Sequence, residues 1–190
     1  MTFHTQLGTD RAALRYALHL TALHRRELGF IPSTSYEAMV AARRLRLAAV
    51  DEDPVGILLV GPIKRDTRVY QACVQEDARR IYHGSGLLTE LVQEATAAGA
   101  HRISLWCASD LPSNAFWQAC GFARTRSRVK SKRTGRPQTE WTLMLPGGLA
   151  WQRQLSDDPR TLTVDQICKF AGVTLGSRMQ MQEKMRKDRL

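Results

Sequence analysis

The sequence predicts an α/β or α+β layer fold with a C-terminal helical extension. Two observations predict it. Segments of helical period and of strand period alternate as far as Leu145: helix, helix, hairpin, strand, helix, strand, helix, strands. The 190 residues are 43% hydrophobic, enough apolar material for one sizeable core. Pro146-Gly147-Gly148 is a natural boundary. It separates a domain over 1–148 from a basic extension over 149–190.

Each element has a local reason. Thr9 or Asp10 can cap a helix running to about Leu28, stopped by Gly29. Its apolar positions Ala13, Tyr16, Ala17, Leu20 and Leu23 keep helical spacing. Thr34 and Glu37 form a capping-box pattern for a helix to about Arg43. Leu45–Val50 and Val55–Val60 read as strands, joined as a hairpin by Asp51-Glu52-Asp53-Pro54. Arg68–Gln75 reads as a strand. Gly84–Ala98 reads as a helix whose apolar face is Leu87, Leu88, Leu91, Val92 and Ala95. Arg102–Ala108 is a buried-strand pattern. Pro112 opens a short helix that stops at Gly121. Phe122–Lys130 and Thr139–Leu145 read as a closing strand pair.

No membrane span or secretory leader is expected. The longest apolar run, Val55–Ile63, is nine residues and contains Gly56, Gly61 and Pro62, against about 20 for a spanning helix. Cys73, Cys107, Cys120 and Cys168 form no C-x-x-C pair, which fits a reducing cytoplasmic setting. The first three lie in apolar runs and read as core. His19 and His24, five apart, do not share a helix face and are not read as metal ligands.

The net charge of +10 is localised. Arg124, Arg126, Arg128, Lys130, Lys132, Arg133 and Arg136 place +7 in residues 123–139 without one acid. Residues 151–190 carry eight basic and five acidic residues, +3, and the remainder is neutral. Such a concentration is either a solvated surface or a footprint for phosphates. Thr134-Gly135-Arg136 offers a flexible tip with a forked donor.

Two segments resemble a known family. Residues 74–88, Val-Gln-Glu-Asp-Ala-Arg-Arg-Ile-Tyr-His-Gly-Ser-Gly-Leu-Leu, resemble the phosphate loop of the GCN5-related N-acetyltransferases (GNAT). That loop reads valine strand end, acidic turn, Arg-x-x-Gly-x-Gly, then paired leucines. Ungapped, Arg79 falls on the arginine, Leu87-Leu88 on the leucines, Tyr82 on the first glycine and Gly84 on the second. An alternative register pairs Gly84 with Gly86. The ungapped one is preferred because the leucines fix the buried helix face. Residues 103–122 resemble the family's last core strand, the short helix after it and its terminal Gly-Phe.

The resemblance implies a central mixed sheet flanked by helices, acetyl-CoA or another acyl-CoA as donor, and a nucleophilic acceptor. It implies a pyrophosphate on the amides opening the central helix, with Arg79, Arg80, His83, Gly84, Ser85 and Gly86 as cofactor-binding candidates. Tyrosine at the first glycine position restricts positive φ and puts a ring where the pyrophosphate approaches. Trp117 stands where many members carry a tyrosine that acts as general acid. It lacks an acidic hydroxyl, but could stack on an extruded base. Asp110 falls near the family's asparagine and reads as base, hydrogen-bond acceptor or helix cap. Glu76 and Asp77 stand where some members place a base, and read equally as a solvated turn. Tyr82 either replaces the missing phenol or packs.

In this fold the closing strands flank the acceptor site. The +7 segment therefore favours a nucleic acid or another polyanion as acceptor. Phage Mom-like DNA-modification enzymes are similar in kind, and a non-catalytic nucleic-acid-binding module is a third reading. In the extension, Thr163-Val164-Asp165-Gln166 is a capping box before a Gly172-Val173 turn, resembling a helix-turn-helix, although Arg178 stands where an apolar residue is usual. Otherwise the extension packs on the fold, or on a second subunit in a homodimer.

Overall fold

Asp10 starts the first helix as its chemistry predicts. Its carboxylate accepts from the Ala13 amide at 2.7 Å, meeting one of the donors that a helix start leaves open. The computed structural model describes residues 3–80, 82–129 and 136–146. Lys130, Lys132, Arg133 and the 149–190 extension, with its helix-turn-helix pattern, lie outside them. The elements are β1 (Phe3–Leu7), α1 (Arg11–Leu23), α2 (Arg25–Leu28), α3 (Ser33–Ala41), β2 (Leu45–Val50), β3 (Asp53–Val60), β4 (Asp66–Val74), α4 (His83–Ala97), β5 (Arg102–Ala108), α5 (Ser113–Ala119), β6 (Ala123–Val129) and β7 (Pro137–Met144).

The seven strands form one sheet in the order β1-β2-β3-β4-β5-β7-β6. All neighbours are antiparallel except β4 and β5, which the α4 crossover makes parallel. Strand alternation sorts two cores. Leu45, Leu47, Ile57 and Leu59 face one side, with Ala13, Ala17 and Leu20 of α1 and Tyr36 and Val40 of α3. Ala48, Leu58, Val60 and Val69 face the other, with Leu87, Leu88, Leu91 and Ala95 of α4. The mixed sheet between helix layers is the architecture that the resemblance implies. Cys73 and Cys107 are buried and Cys120 is half-buried.

Some expectations are corrected. β1 is an additional edge strand, short and half-exposed, so its pattern carries little apolar alternation. The first helix breaks at His24, where φ −108° and ψ 25° leave the helical region, and α2 follows to Gly29. α3 starts one residue before Thr34, with Pro32 as its cap and no side-chain cap bond, so the Thr34–Glu37 box is not formed.

Candidate active site

β4 and β5 pair only over Asp66–Arg68 with Arg102–Ser104. Beyond these residues the two strands run on to Val74 and Ala108 without a ladder between them, so their carboxyl ends part into a cleft. The amino end of α4 follows β4 across the 75–82 connection. An alanine carbon built at Gly84 would touch the Phe116 ring of α5 at 3.4 Å and Val74 Cγ2 at 3.7 Å. The α4 start thus lies between the end of β4 and α5.

Tyr82 caps α4 in the left-handed region, φ 67° and ψ 5°. The expectation that tyrosine resists positive φ here is overturned. This is the backbone that a glycine adopts without strain, at the position where the ungapped register puts the family's first glycine. The Tyr82 carbonyl accepts from the Gly86 amide and from Ser85 Oγ, both at 2.8 Å. The amides of His83, Gly84 and Ser85 precede the first internal helix bond and have no carbonyl partner within α4. No acid occupies the first turn.

The cofactor-binding candidates separate here. Arg80 is exposed, at φ 65°. Arg79 donates from Nε to the Val74 carbonyl at 3.0 Å, and its Nη2 lies 3.4 Å from the His24 ring, so it ties the connection to the α1–α2 break. Ser85 spends its hydroxyl on the Tyr82 carbonyl. His83 is a correction: it is buried, stacks on Phe3 at 4.9 Å, and burial pushes its pKa below the ordinary value. Its ring supplies packing, and burial disfavours its charged form. Gly86 is another correction: an alanine carbon there would stand 2.5 Å from Phe3 Cζ. Its smallness admits Phe3, and its amide is already bonded within the turn.

Among the catalytic candidates, Glu76, Asp77 and Tyr82 lie on the 75–82 connection, all three exposed. Asp110 instead accepts from Arg136 through both carboxylate oxygens, at 3.0–3.2 Å. That guanidinium holds its carboxyl below the usual range, which makes it a weak base. It does not cap α5, whose N-cap is Pro112 without a side-chain bond. Arg136 Nη1 also donates to the Arg26 carbonyl of α2, so one side chain joins the end of β5, the start of β7 and α2. Trp117 is 6% exposed, edge-on to Phe116 at 5.0 Å and to Phe122 at 5.3 Å. As a core residue it has no face for a base.

The sequence model described as Acetyltransferase (GNAT) family matches residues 12–122. The chain belongs to the GNAT acetyltransferase family. Solved structures agree on the fold. Ard1 from Thermoplasma volcanium aligns with TM-score 0.68 at 13% identity, over 76% of this chain and 99% of that one. YncA from Salmonella typhimurium, solved with its cofactor acetyl-CoA, gives 0.64 at 16%, over 76% and 95%. The ribosomal-protein-alanine N-acetyltransferase from Brucella melitensis gives 0.62 at 16%, over 76% and 100%. Such identities carry the fold alone. No curated protein matches the chain.

On this GNAT scaffold the described cations of the basic segment, Arg136 apart, lie on β6, an edge strand exposed at every position. Arg124 donates to Ser127 Oγ at 2.9 Å, and Arg126 lies 3.6 Å from Glu140. Arg128 stacks 3.8 Å over Trp106 and donates to Gln138. Two residues escaped the sequence reading. Asn114 donates to the Ala108 and Leu111 carbonyls and accepts from Trp141 Nε1 at 2.8 Å, fixing the turn after β5. Tyr16, read only as an apolar helix position, has a buried hydroxyl with no partner. Burial, then the charges of Cys73 and Asp77, push its pKa up. Among the described residues no His, Cys, Asp or Glu cluster could hold a metal, and no helix is long and apolar enough to cross a membrane.

Proposed function

We propose that the chain is an N-acyltransferase that takes acetyl-CoA as donor and a polyanion, nucleic acid first, as acceptor. The parted β4–β5 cleft, with the open α4 amino end at its mouth, carries the donor half of this reading. The residues present fit a pyrophosphate. Three amides without helix partners, a first turn free of acid and the exposed Arg80 offer what two phosphates need. A related structure holds acetyl-CoA. Acetyl-CoA supplies an activated thioester carbonyl when bound. The chain's own groups do the rest. The His83, Gly84 and Ser85 amides and Arg80 orient the donor, Glu76 removes a proton from the attacking amine, and Tyr82 Oη offers its proton to the departing sulfur.

The acceptor half rests on charge. Arg124, Arg126 and Arg128 line an exposed edge strand, and Arg128 overlies Trp106 on the same sheet face, a combination suited to phosphates and bases. A cationic polyamine would be repelled there. DNA-base modification of the Mom-like kind is the second reading. What favours it is the exposed Tyr82 ring at the cleft, since Trp117 is buried.

Isothermal titration with acetyl-CoA, wild type against Arg80→Ala, tests the donor. Saturable binding that weakens about tenfold in the variant is expected, as loss of one charge-assisted contact implies. No binding at millimolar donor overturns it. Radiolabelled acetyl transfer to nucleic acid and to polyamine then tests the acceptor. Transfer to polyamine alone refutes the polyanion reading. Nucleic-acid binding without turnover would make the chain a binding module, and an altered nucleoside in mass spectrometry without acetyl transfer would favour base modification.

A further inference from the structure

Strand alternation turns one arginine inward. Arg46 of β2 falls on the face that packs against α4, between Leu45 and Leu47 on the opposite face, and is 1% exposed. Its Nη2 donates to Glu94 of α4, whose side chain is half exposed. Its Nε and Nη1 are buried without a partner. A guanidinium has donors and no acceptor, so only an acceptor brought to it can satisfy these nitrogens. Buried donors left unmet are costly, because they give up water without gaining a partner.

Arg46 lines a cavity of about 180 Å3 with Arg43, Arg44, Gly61, Pro62 and Glu94. Arg43 holds φ 57°, outside the region most side chains adopt, and Arg44 follows directly into β2. Three permanent cations and one carboxylate leave a local charge of +2. The volume equals about six waters, room for one tetrahedral oxyanion. Glu94 lies ten residues along α4 from Gly84, about 15 Å by helix rise, so this cavity is separate from the cleft.

We propose that this cavity is a second anion site, which takes a doubly charged phosphate group between Arg44 and Arg43, over the buried guanidinium of Arg46. The phosphate sets a double negative charge against a buried guanidinium whose carboxylate partner, Glu94, is half exposed. Its source, free phosphate or a phosphate of a larger ligand, shares this chemistry. The site is independent of the transferase reading.

The test uses inorganic phosphate as probe, by titration calorimetry on the full chain. Saturable binding should weaken at least tenfold in Arg44→Gln, tighten severalfold in Glu94→Gln, and persist in Arg80→Gln, which alters only the α4 amino end. Loss in Arg80→Gln with Arg44→Gln unaffected would place the anion at the cleft and overturn the proposal. So would binding equal in all variants, which marks an adventitious ion only. Should a variant fail to fold, NMR of the arginine Nε–H groups decides on the wild type. A solvent-protected resonance should move on adding phosphate, with pyrophosphate and an oligonucleotide 5′-phosphate as further arms separating the sources. Glu90, one turn nearer the cleft, also has a buried carboxylate oxygen without a partner. If it takes the free donors instead, the protected resonance will ignore phosphate and the proposal falls.

Discussion

Gly86→Ala separates two meanings of a glycine. If Gly86 exists to let a phosphate approach, alanine should harm donor binding. If it exists to admit Phe3, alanine should harm stability. An added carbon would stand 2.5 Å from Phe3 Cζ and 2.6 Å from Cε1, closer than any real contact, so the ring must leave its place against His83. Overpacking of this kind costs about 1–3 kcal/mol, and the lost ring stacking about 0.5–1 kcal/mol more. Helix propensity returns about 0.5–1 kcal/mol. The balance is a loss of about 1–3 kcal/mol, which lowers Tm by roughly 2–12 °C for a domain of this size. In a Phe3→Ala background the clash is gone and only the propensity gain remains. The same substitution then stabilises by about 0.5–1 kcal/mol. Urea denaturation of the four proteins measures this reversal of sign, and acetyl-CoA titration should give unchanged affinity throughout. Equal destabilisation in both backgrounds, or weakened donor binding at full stability, would refute the packing account.

Three further outcomes follow from the site. Tyr82→Phe should lower kcat by about 10² while stability and donor affinity hold, as loss of a general acid does, and full activity would remove the phenol from the mechanism. Asp110→Asn should leave the acidic limb of the pH–rate profile in place, because Asp110 is tied to Arg136. Its effect on stability follows from its lowered pKa: the ionised pair contributes above the unfolded value near 3.9 and is lost as pH falls through the folded one, so acid titration of both proteins should converge at low pH. His83 has the opposite chemistry with the same sense. Burial lowers its pKa, so the unfolded chain binds more protons below about 6.5, and stability falls as pH drops through that value. Urea midpoints at pH 8 and pH 5.5 should diverge more for wild type than for His83→Gln.

What the sequence showed and what it hid divide by the range of the interaction. Asp10 bonds an amide three residues away, and the pairs Leu45/Leu47 and Leu58/Val60 state their own faces through period two. Such local facts were legible. Gly86 looked like a phosphate-loop glycine because the ring that needs its smallness is Phe3, on a strand too short and exposed to show a pattern. Asp110 reads locally as base, acceptor or helix cap, because its actual partner, Arg136, is 26 residues away. Tyr16 was absorbed into a helix face, since nothing in its neighbours states that its hydroxyl is buried without a partner. Trp117 stood at a functional position in the family pattern, yet Phe116 and Phe122 enclose it.

Tyr82 is where the local rule failed most informatively. A non-glycine residue in the left-handed region costs about 1–2 kcal/mol, and two such residues, Arg80 and Tyr82, flank the entry to α4. The surroundings hold Tyr82 there: its carbonyl is fixed by the Gly86 amide and Ser85 Oγ at once. Packing covers Tyr82 only in part, since the residue is 36% exposed. Strain at a residue left partly open to solvent is consistent with the proposed use of the side chain at the mouth of the cleft. The family's usual phenol position is occupied here by buried Trp117, which leaves Tyr82 as the exposed hydroxyl beside the open amides. Tyr82→Gly therefore carries a paired expectation: stability rises by up to about 1 kcal/mol as the strain is relieved, and turnover falls as it does in Tyr82→Phe. Unfolding and kinetic assays on the two variants decide it, and a glycine variant that is both more stable and fully active would show that the ring has no part in the reaction.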